Sequence, residues 1–199
     1  MKPRTYVHAL ILGTFCLGFG FVLAVTDRVT TEPIADRALE DKLNSLAQVL
    51  PEGLHDNNPI EDAVTLPGPH DKEITVYRAL RDGQVTGVAY EIRGSGYAGE
   101  IRLMLGVDAN GQILGVRAIA HKETPGLGDK IEVKKGDWIL HFAGRALGNP
   151  AADGWKVKKD GGSFDQFAGA TITPRGVVAA VRGGLEFFAT HKTRLMEVN

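Results

Sequence analysis

EITVYRALRDGQVTGVAYEIRGSGYAGEIRLMLGVDANGQILGVRAIA, from Glu73 to Ala120, settles the architecture of this chain. Apolar and polar residues alternate with a period of two in EITVYRAL (73–80), GVAYEIRG (87–94), EIRLMLGV (100–107) and QILGVRAIA (112–120). Side chains two apart share a strand face, so each run has a face to bury. Arg81-Asp82-Gly83 splits the first pair and Asp108-Ala109-Asn110-Gly111 joins the last. Asn-Gly between alternating runs is the strongest short hairpin signal, because both positions tolerate positive φ. The pattern predicts a meander of antiparallel strands with helices before and after it. That is an α+β arrangement rather than a doubly wound one.

Upstream the period is helical. Thr31-Glu32-Pro33 reads as a helix entry, with a hydroxyl cap and a proline in the first turn. Ile34, Ala35, Ala38, Leu39, Leu43, Leu46, Ala47 and Leu50 then form a stripe that Pro51 and Gly53 close. Residues 51–72, rich in Pro, Gly, Asp and Asn, read as irregular surface chain.

Further upstream, Tyr6 to Thr26 (YVHALILGTFCLGFGFVLAVT) contains no charged residue. Such a helix matches a hydrocarbon core of ~30 Å. A cleaved signal peptide is the rival, but its apolar core is usually only ~7–15 residues, and VLAVTD is a poor cleavage site. A retained anchor is the favoured reading. Lys2 and Arg4 ahead of it put the N-terminus in the cytoplasm and the rest of the chain beyond the membrane. Three segments are expected: leader and anchor at 1–28, amphipathic helix and connector at 29–72, and the main domain at 73–199.

Composition narrows the chemistry. The formal net charge of −1 lacks the basic signature of a nucleic-acid binder. Cys16 is the one cysteine, so no intrachain disulfide, Cys-ligated zinc, iron–sulfur cluster or CxxCH haem site can form. If the chain moves electrons, an organic cofactor carries them. His121 and Glu123 are too few to hold a metal, and no P-loop or dinucleotide fingerprint occurs. The run Lys156-Val157-Lys158-Lys159 reads as a solvated face.

Downstream of the strands, DQFAGATITPRGVVAAV (165–181) opens a helix. Thr173-Pro174 suits an N-cap and first-turn pair, and Val177, Val178, Val181, Leu185 and Phe188 lie on one helical face. The N-terminus of a helix offers free N–H groups and a positive dipole end to phosphate. Gly169 and Ala170 permit close approach, and Arg175 could add donors. These residues are equally compatible with a capped helix that has no ligand.

DQFAGAT resembles the flavinylation motif Asp-x-x-Ser/Thr-Gly-Ala-Thr of the FMN-binding domain family. Asp165, Gly169, Ala170 and Thr171 match it, while Ala168 departs from the usual hydroxyl residue. The resemblance implies FMN linked by a phosphoester to Thr171, placed there by a flavin transferase with FAD as donor. ETPGLGDKI (123–131) resembles the loop that lies against the flavin ring in that family, implying roles for Glu123, Thr124, Gly126, Leu127 and Gly128. Pro125-Gly126 alone would also predict a surface turn. GYAGEI (96–101) is similar to the opening of the same domain and brings Tyr97 into question as a cofactor neighbour or a strand-edge tyrosine. With its anchor and the LNSLAQVLP helix, the chain resembles the RnfG family, the G component of Rnf-type electron transport complexes. The C component of sodium-pumping NADH–quinone reductase shares the motifs and is the alternative, beside a flavin-free scaffold. The resemblance implies electron relay between other membrane subunits in a bacterial inner membrane, coupled to ion transport.

Overall fold

The structure, a computed structural model, describes residues 3–68 and 73–197, without the side chains of residues 3–5, 32, 35, 36, 38 and 39. The chain forms two compact units, Met1–Lys42 and Leu43–Asn199. Helix α1 (Pro3–Ala47) supplies all the described residues of the first.

Thr31 does not start a helix, because α1 runs straight through with Pro33 inside it. The hydroxyls of Thr30 and Thr31 donate to the carbonyls of Thr26 and Asp27 at 2.8 and 2.7 Å. They bond back to the preceding turn instead of capping a new one. Tyr6–Thr31 is long and apolar enough to cross a membrane. Among the described side chains the expected stripe is buried only at Leu46 and Leu50, joined by Val49, while Ile34, Leu43 and Ala47 are exposed. The side chains of Ala35, Ala38 and Leu39 lie outside the described residues.

In the second unit five strands pair antiparallel in chain order: β1 (Val64–Pro67), β2 (Glu73–Arg81), β3 (Gln84–Ser95), β4 (Glu100–Asp108) and β5 (Ile113–Ala120). The four alternating runs are all strands. At the β2–β3 turn Asp82 and Gly83 both have positive φ, 52° and 74°, as a tight two-residue hairpin requires. The β4–β5 turn is wider than the Asn-Gly signal suggests. There Gly111 alone takes positive φ, and the Asp108 carboxylate accepts from the N–H groups of Asn110 and Gln112.

β1 corrects the reading of 51–72 as wholly irregular. Its four residues pair with β2 from Val64↔Val76 to Pro67↔Glu73, and Leu66 is buried. Pro67 is tolerated because an edge strand has one row of N–H groups without a ladder partner.

The sheet buries both faces. On one, Val88, Tyr90, Ile92, Leu103 and Leu105 meet Val177, Val178, Val181, Leu185 and Phe188 of helix α2 (Ile172–Met196). The predicted apolar face of α2 is thus its packing face, and the buried Tyr90 hydroxyl donates to the Gly184 carbonyl at 2.8 Å. On the other face Tyr77, Ala79, Ala89 and Met104 pack with Leu46, Val49 and Leu50. Arg78, buried in β2, donates to the carbonyls of Asp62 and Glu197 and so ties the end of α2 to the first strands.

Between β5 and α2 the chain makes only short 3₁₀ turns around an aromatic cluster. Trp138 meets Phe142 and Phe167 edge-on at 5.3 and 5.1 Å, and Phe164 stacks on Phe142 at 4.7 Å. Phe164 and Phe167 are the buried pegs of the segment that leads into α2.

Candidate functional site

At the centre of the site is a buried carboxylate. Glu123 follows β5, is only 6% exposed, and accepts hydrogen bonds from two other parts of the chain. Its Oε1 takes the Ala98 N–H at 2.9 Å, and its Oε2 takes the hydroxyl of Thr173 in the first turn of α2. The Tyr97 N–H also contributes. Burial opposes ionisation of Glu123, but the Thr173 hydroxyl, the Ala98 and Tyr97 N–H groups and nearby His121 outweigh it. The carboxyl is therefore held below its ordinary value of 4.5. Room for it comes from two glycines. A Cβ at Gly96 would stand 2.4 Å from Oε1, and one at Gly128 would stand 2.7 Å from Oε2.

His121 braces the same turn. Its Nδ1 faces the Glu123 N–H at 3.2 Å and its Nε2 faces the Glu132 carboxylate at 3.0 Å. The Thr124 carbonyl then accepts from the N–H groups of Leu127 and Gly128, at 3.1 and 3.2 Å. Gly126, at φ 78°, closes this turn, and Leu127 stands at its tip, 41% exposed.

Opposite lies the segment Asp165–Thr171. Gly169, at φ 81°, turns it, and a Cβ there would stand 3.4 Å from Leu127 Cδ2. The Ala170 N–H bonds to the Phe167 carbonyl at 3.2 Å. The Asp165 carbonyl accepts from Trp138 Nε1 at 2.8 Å, and its exposed carboxylate pairs with Lys158 at 2.6 Å. Arg175 donates from Nε and Nη2 to the two oxygens of Asp160, at 2.6 Å each. That edge of the guanidinium is therefore engaged, and of the run 156–159 Lys158 is an ion-pair partner.

The helix mouth itself corrects the assignment of the cap. Thr171, not Thr173, occupies the N-cap position of α2. Its φ and ψ of −78° and −27° are already helical, so its hydroxyl makes no capping bond. Thr173, the second residue of the helix, is fully buried. Thus the structure brings together Glu123, Gly128 and Thr173 directly, and Leu127 with Gly169. Thr124, Gly126 and Tyr97 are exposed around them, Tyr97 at 72%. Glu123 faces inward, with both oxygens engaged by the protein. The parts played by Thr173, Ala98 and His121 carry no local sequence signal, because their partners are fixed only by folding.

Two family models match the chain: the FMN-binding domain over residues 96–186 and the RnfG N-terminal region over residues 1–49. A Cereibacter sphaeroides protein, by name the G component of an ion-translocating oxidoreductase complex, is 52% identical over 98% of this chain and 89% of its own length. Proteins of the same name from Stutzerimonas stutzeri and Pseudomonas aeruginosa are each 46% identical, over 96% and 95% of this chain and 84% and 91% of theirs. Solved structures are more distant: Shewanella oneidensis NqrC aligns with a TM-score of 0.49 and 24% identity, over 76% of this chain and 73% of that one. At 46–52% identity along nearly its whole length, the chain belongs to the RnfG family, the G component of ion-translocating oxidoreductase complexes, and it contains that family's FMN-binding domain.

Proposed function

We propose that the chain carries FMN as a phosphoester on the Thr171 hydroxyl and relays electrons within an Rnf-type ion-translocating complex. The observation that carries this reading is the meeting of two segments distant in sequence. Leu127 of ETPGLGDKI lies beside Gly169 of DQFAGAT, its Cδ2 3.4 Å from where a Cβ there would stand, and Glu123 of the first reaches Thr173 just beyond the second. A group tethered to one segment has the other within reach.

The residues suit the group. Thr171 is half-buried with a hydroxyl that makes no cap, whereas the competing Thr173 hydroxyl is fully buried and committed to Glu123. A phosphate on Thr171 would sit at the positive end of a 25-residue helix. Leu127, Ile172 and Tyr97 offer exposed apolar surface for a planar ring. Nothing stands within 4 Å of a Cβ at Gly126, so the backbone of that turn is open to a ligand.

When bound, the flavin supplies reversible electron transfer; the chain supplies position and electrostatic environment. Thr171 holds the phosphate end, and the Thr124–Gly128 turn orients the ring. Asp165, Gly169 and Ala170 present the acceptor to a flavin transferase that uses FAD. The Tyr6–Thr31 helix anchors the chain in the bacterial inner membrane, among lipid and the other membrane proteins of the complex. With Lys2 and Arg4 held in the cytoplasm, the FMN-binding domain lies on the periplasmic side.

Co-production of the full chain with a flavin transferase tests this reading. The denatured protein should fluoresce in a gel under ultraviolet light, with an intact mass raised by one esterified FMN. Thr171→Ala should remove both signals. A bare polypeptide mass for the wild-type chain made with the transferase would end the proposal.

A further inference from the structure

We infer that Glu123 is the positioning residue of this site: through Thr173 it sets the register between the segment that bears the flavin and the turn that holds its ring. The inference rests on the FMN-binding reading above. Three pieces of chain distant in sequence converge on one carboxylate, namely the Gly96–Ala98 turn, the Glu123–Gly128 turn and the first turn of α2. Glu123 is buried and both of its oxygens are occupied, so it does not touch the cofactor. Its lone pairs instead fix two other groups in space.

The geometry divides the work. Thr171 is the N-cap of the helix that carries Thr173 two residues on, so clamping Thr173 fixes where a tether on Thr171 begins. Gly128 packs against the Glu123 and Thr173 side chains, so the same clamp fixes the turn that carries Leu127. A covalently held ring can stay docked only if these two points keep their separation. Attachment and docking should therefore be separable. Attachment needs the hydroxyl of Thr171 and its exposed motif, whereas docking needs Glu123 and Thr173.

Iodide quenching of the attached flavin's fluorescence reads ring exposure without any assay of turnover. The full chain is co-produced with the flavin transferase as wild type, Thr173→Val, Glu123→Gln and the double variant. Each should keep the mass of one FMN on Thr171. The quenching constant should rise from the wild-type value toward that of free FMN in both single variants. The double variant should rise no further than Glu123→Gln alone, because the Thr173 hydroxyl acts through that carboxylate. Thr173→Ser restores the hydroxyl and should return the wild-type value. Val181→Ala loosens the core beneath α2 without touching the clamp, and should leave quenching unchanged.

Wild-type quenching equal to that of free FMN, unchanged quenching in the clamp variants, or an equal rise in Val181→Ala would overturn the inference. So would loss of attachment in Thr173→Val, since it would make the clamp part of attachment. Absence of flavin from wild-type Thr171 would instead remove the underlying reading. In that case hydrogen exchange of the flavin-free chain still decides the clamp. Thr173→Val should speed exchange at residues 96–98 and 124–128 together, and unchanged exchange there would refute it.

Discussion

A methyl group at Gly176 would stand 2.0 Å from the carbonyl oxygen of Ser95. Helix α2 lies so close on the end of β3 at this point that only hydrogen fits between the two backbones. The obstacle is main chain, which cannot swing aside as a side chain would.

Gly176→Ala should therefore destabilise the domain by about 1–3 kcal/mol, as overpacking does, despite the better helix propensity of alanine. Gly183, in the same helix, has nothing within 4 Å of its Cβ position. Gly183→Ala should stabilise by roughly 0.5–1 kcal/mol through propensity alone. Urea unfolding of the two variants decides it. A shift of the same sign in both would show that the close approach to Ser95 is not what selects glycine at 176.

The two threonines at the helix mouth should respond in opposite ways. Thr171→Ala removes a hydroxyl that caps nothing, so stability should hardly change while covalent FMN is lost. Thr173→Ala should keep FMN on Thr171 and destabilise by about 1.5–3 kcal/mol, the range for a hydrogen bond to a charged group. That exceeds the simple loss of a cap, because a buried carboxylate is left one donor short. Mass mapping of the flavin-bearing peptide, paired with thermal melts, separates the outcomes. Flavin on residue 173 in the Thr171→Ala chain would reverse the assignment.

These contrasts show what was legible along the chain. Strand alternation and the Asp82-Gly83 turn are written in neighbouring residues, whereas the bulge that shifts the β2–β3 register between Ala79 and Leu80 is not. The apolar face of α2 is equally local. β1 escaped because a four-residue edge strand, with Leu66 its one fully buried side chain, gives too little periodicity to separate from loop. Pro33 misled for a different reason. A proline inside a helix loses one hydrogen bond and crowds the preceding turn, yet α1 continues through it. The flavin motifs could be recognised as strings, but the bond that joins them links residues fifty positions apart. Thr173 looked like a cap because capping is the commonest work of a threonine before Pro at a helix start. Its actual partner is set by the tertiary fold.

Acid should weaken the same contact, and the sign follows from Glu123. Its carboxyl is held below 4.5 in the folded chain, so the unfolded state binds the proton more readily. The stability it contributes is fully present above pH about 4.5, the ordinary glutamate value, and is lost as pH falls through the depressed folded value. Wild type and Thr173→Val should differ most above that pH, and the gap should narrow on acidification. Chemical denaturation from pH 7 down to pH 3 measures it. A gap that stays constant throughout would mean that the Thr173 hydroxyl does not favour the ionised carboxylate.

Arg175 is the charged group on which the helix mouth most obviously invites a phosphate contact, and its geometry argues against one. Its Nε and Nη2 edge is held by the two carboxylate oxygens of Asp160. The Asp160 carboxyl is in turn kept below its usual range, first by the hydrogen bonds from Arg175 and then by the Arg175, Lys159 and Lys156 charges. Arg175→Ala should consequently leave the extent of flavin attachment to Thr171 unchanged. Asp160→Asn keeps the shape but releases the guanidinium one helical turn from Thr171. A freed cation there should draw in the anionic flavin donor and speed attachment at low salt. Screening over ~8–10 Å near physiological ionic strength should then erase the gain. Time courses of flavin transfer at two salt concentrations measure both effects. Slower attachment by Arg175→Ala at every salt concentration would show that the guanidinium leaves Asp160 to meet the incoming phosphate.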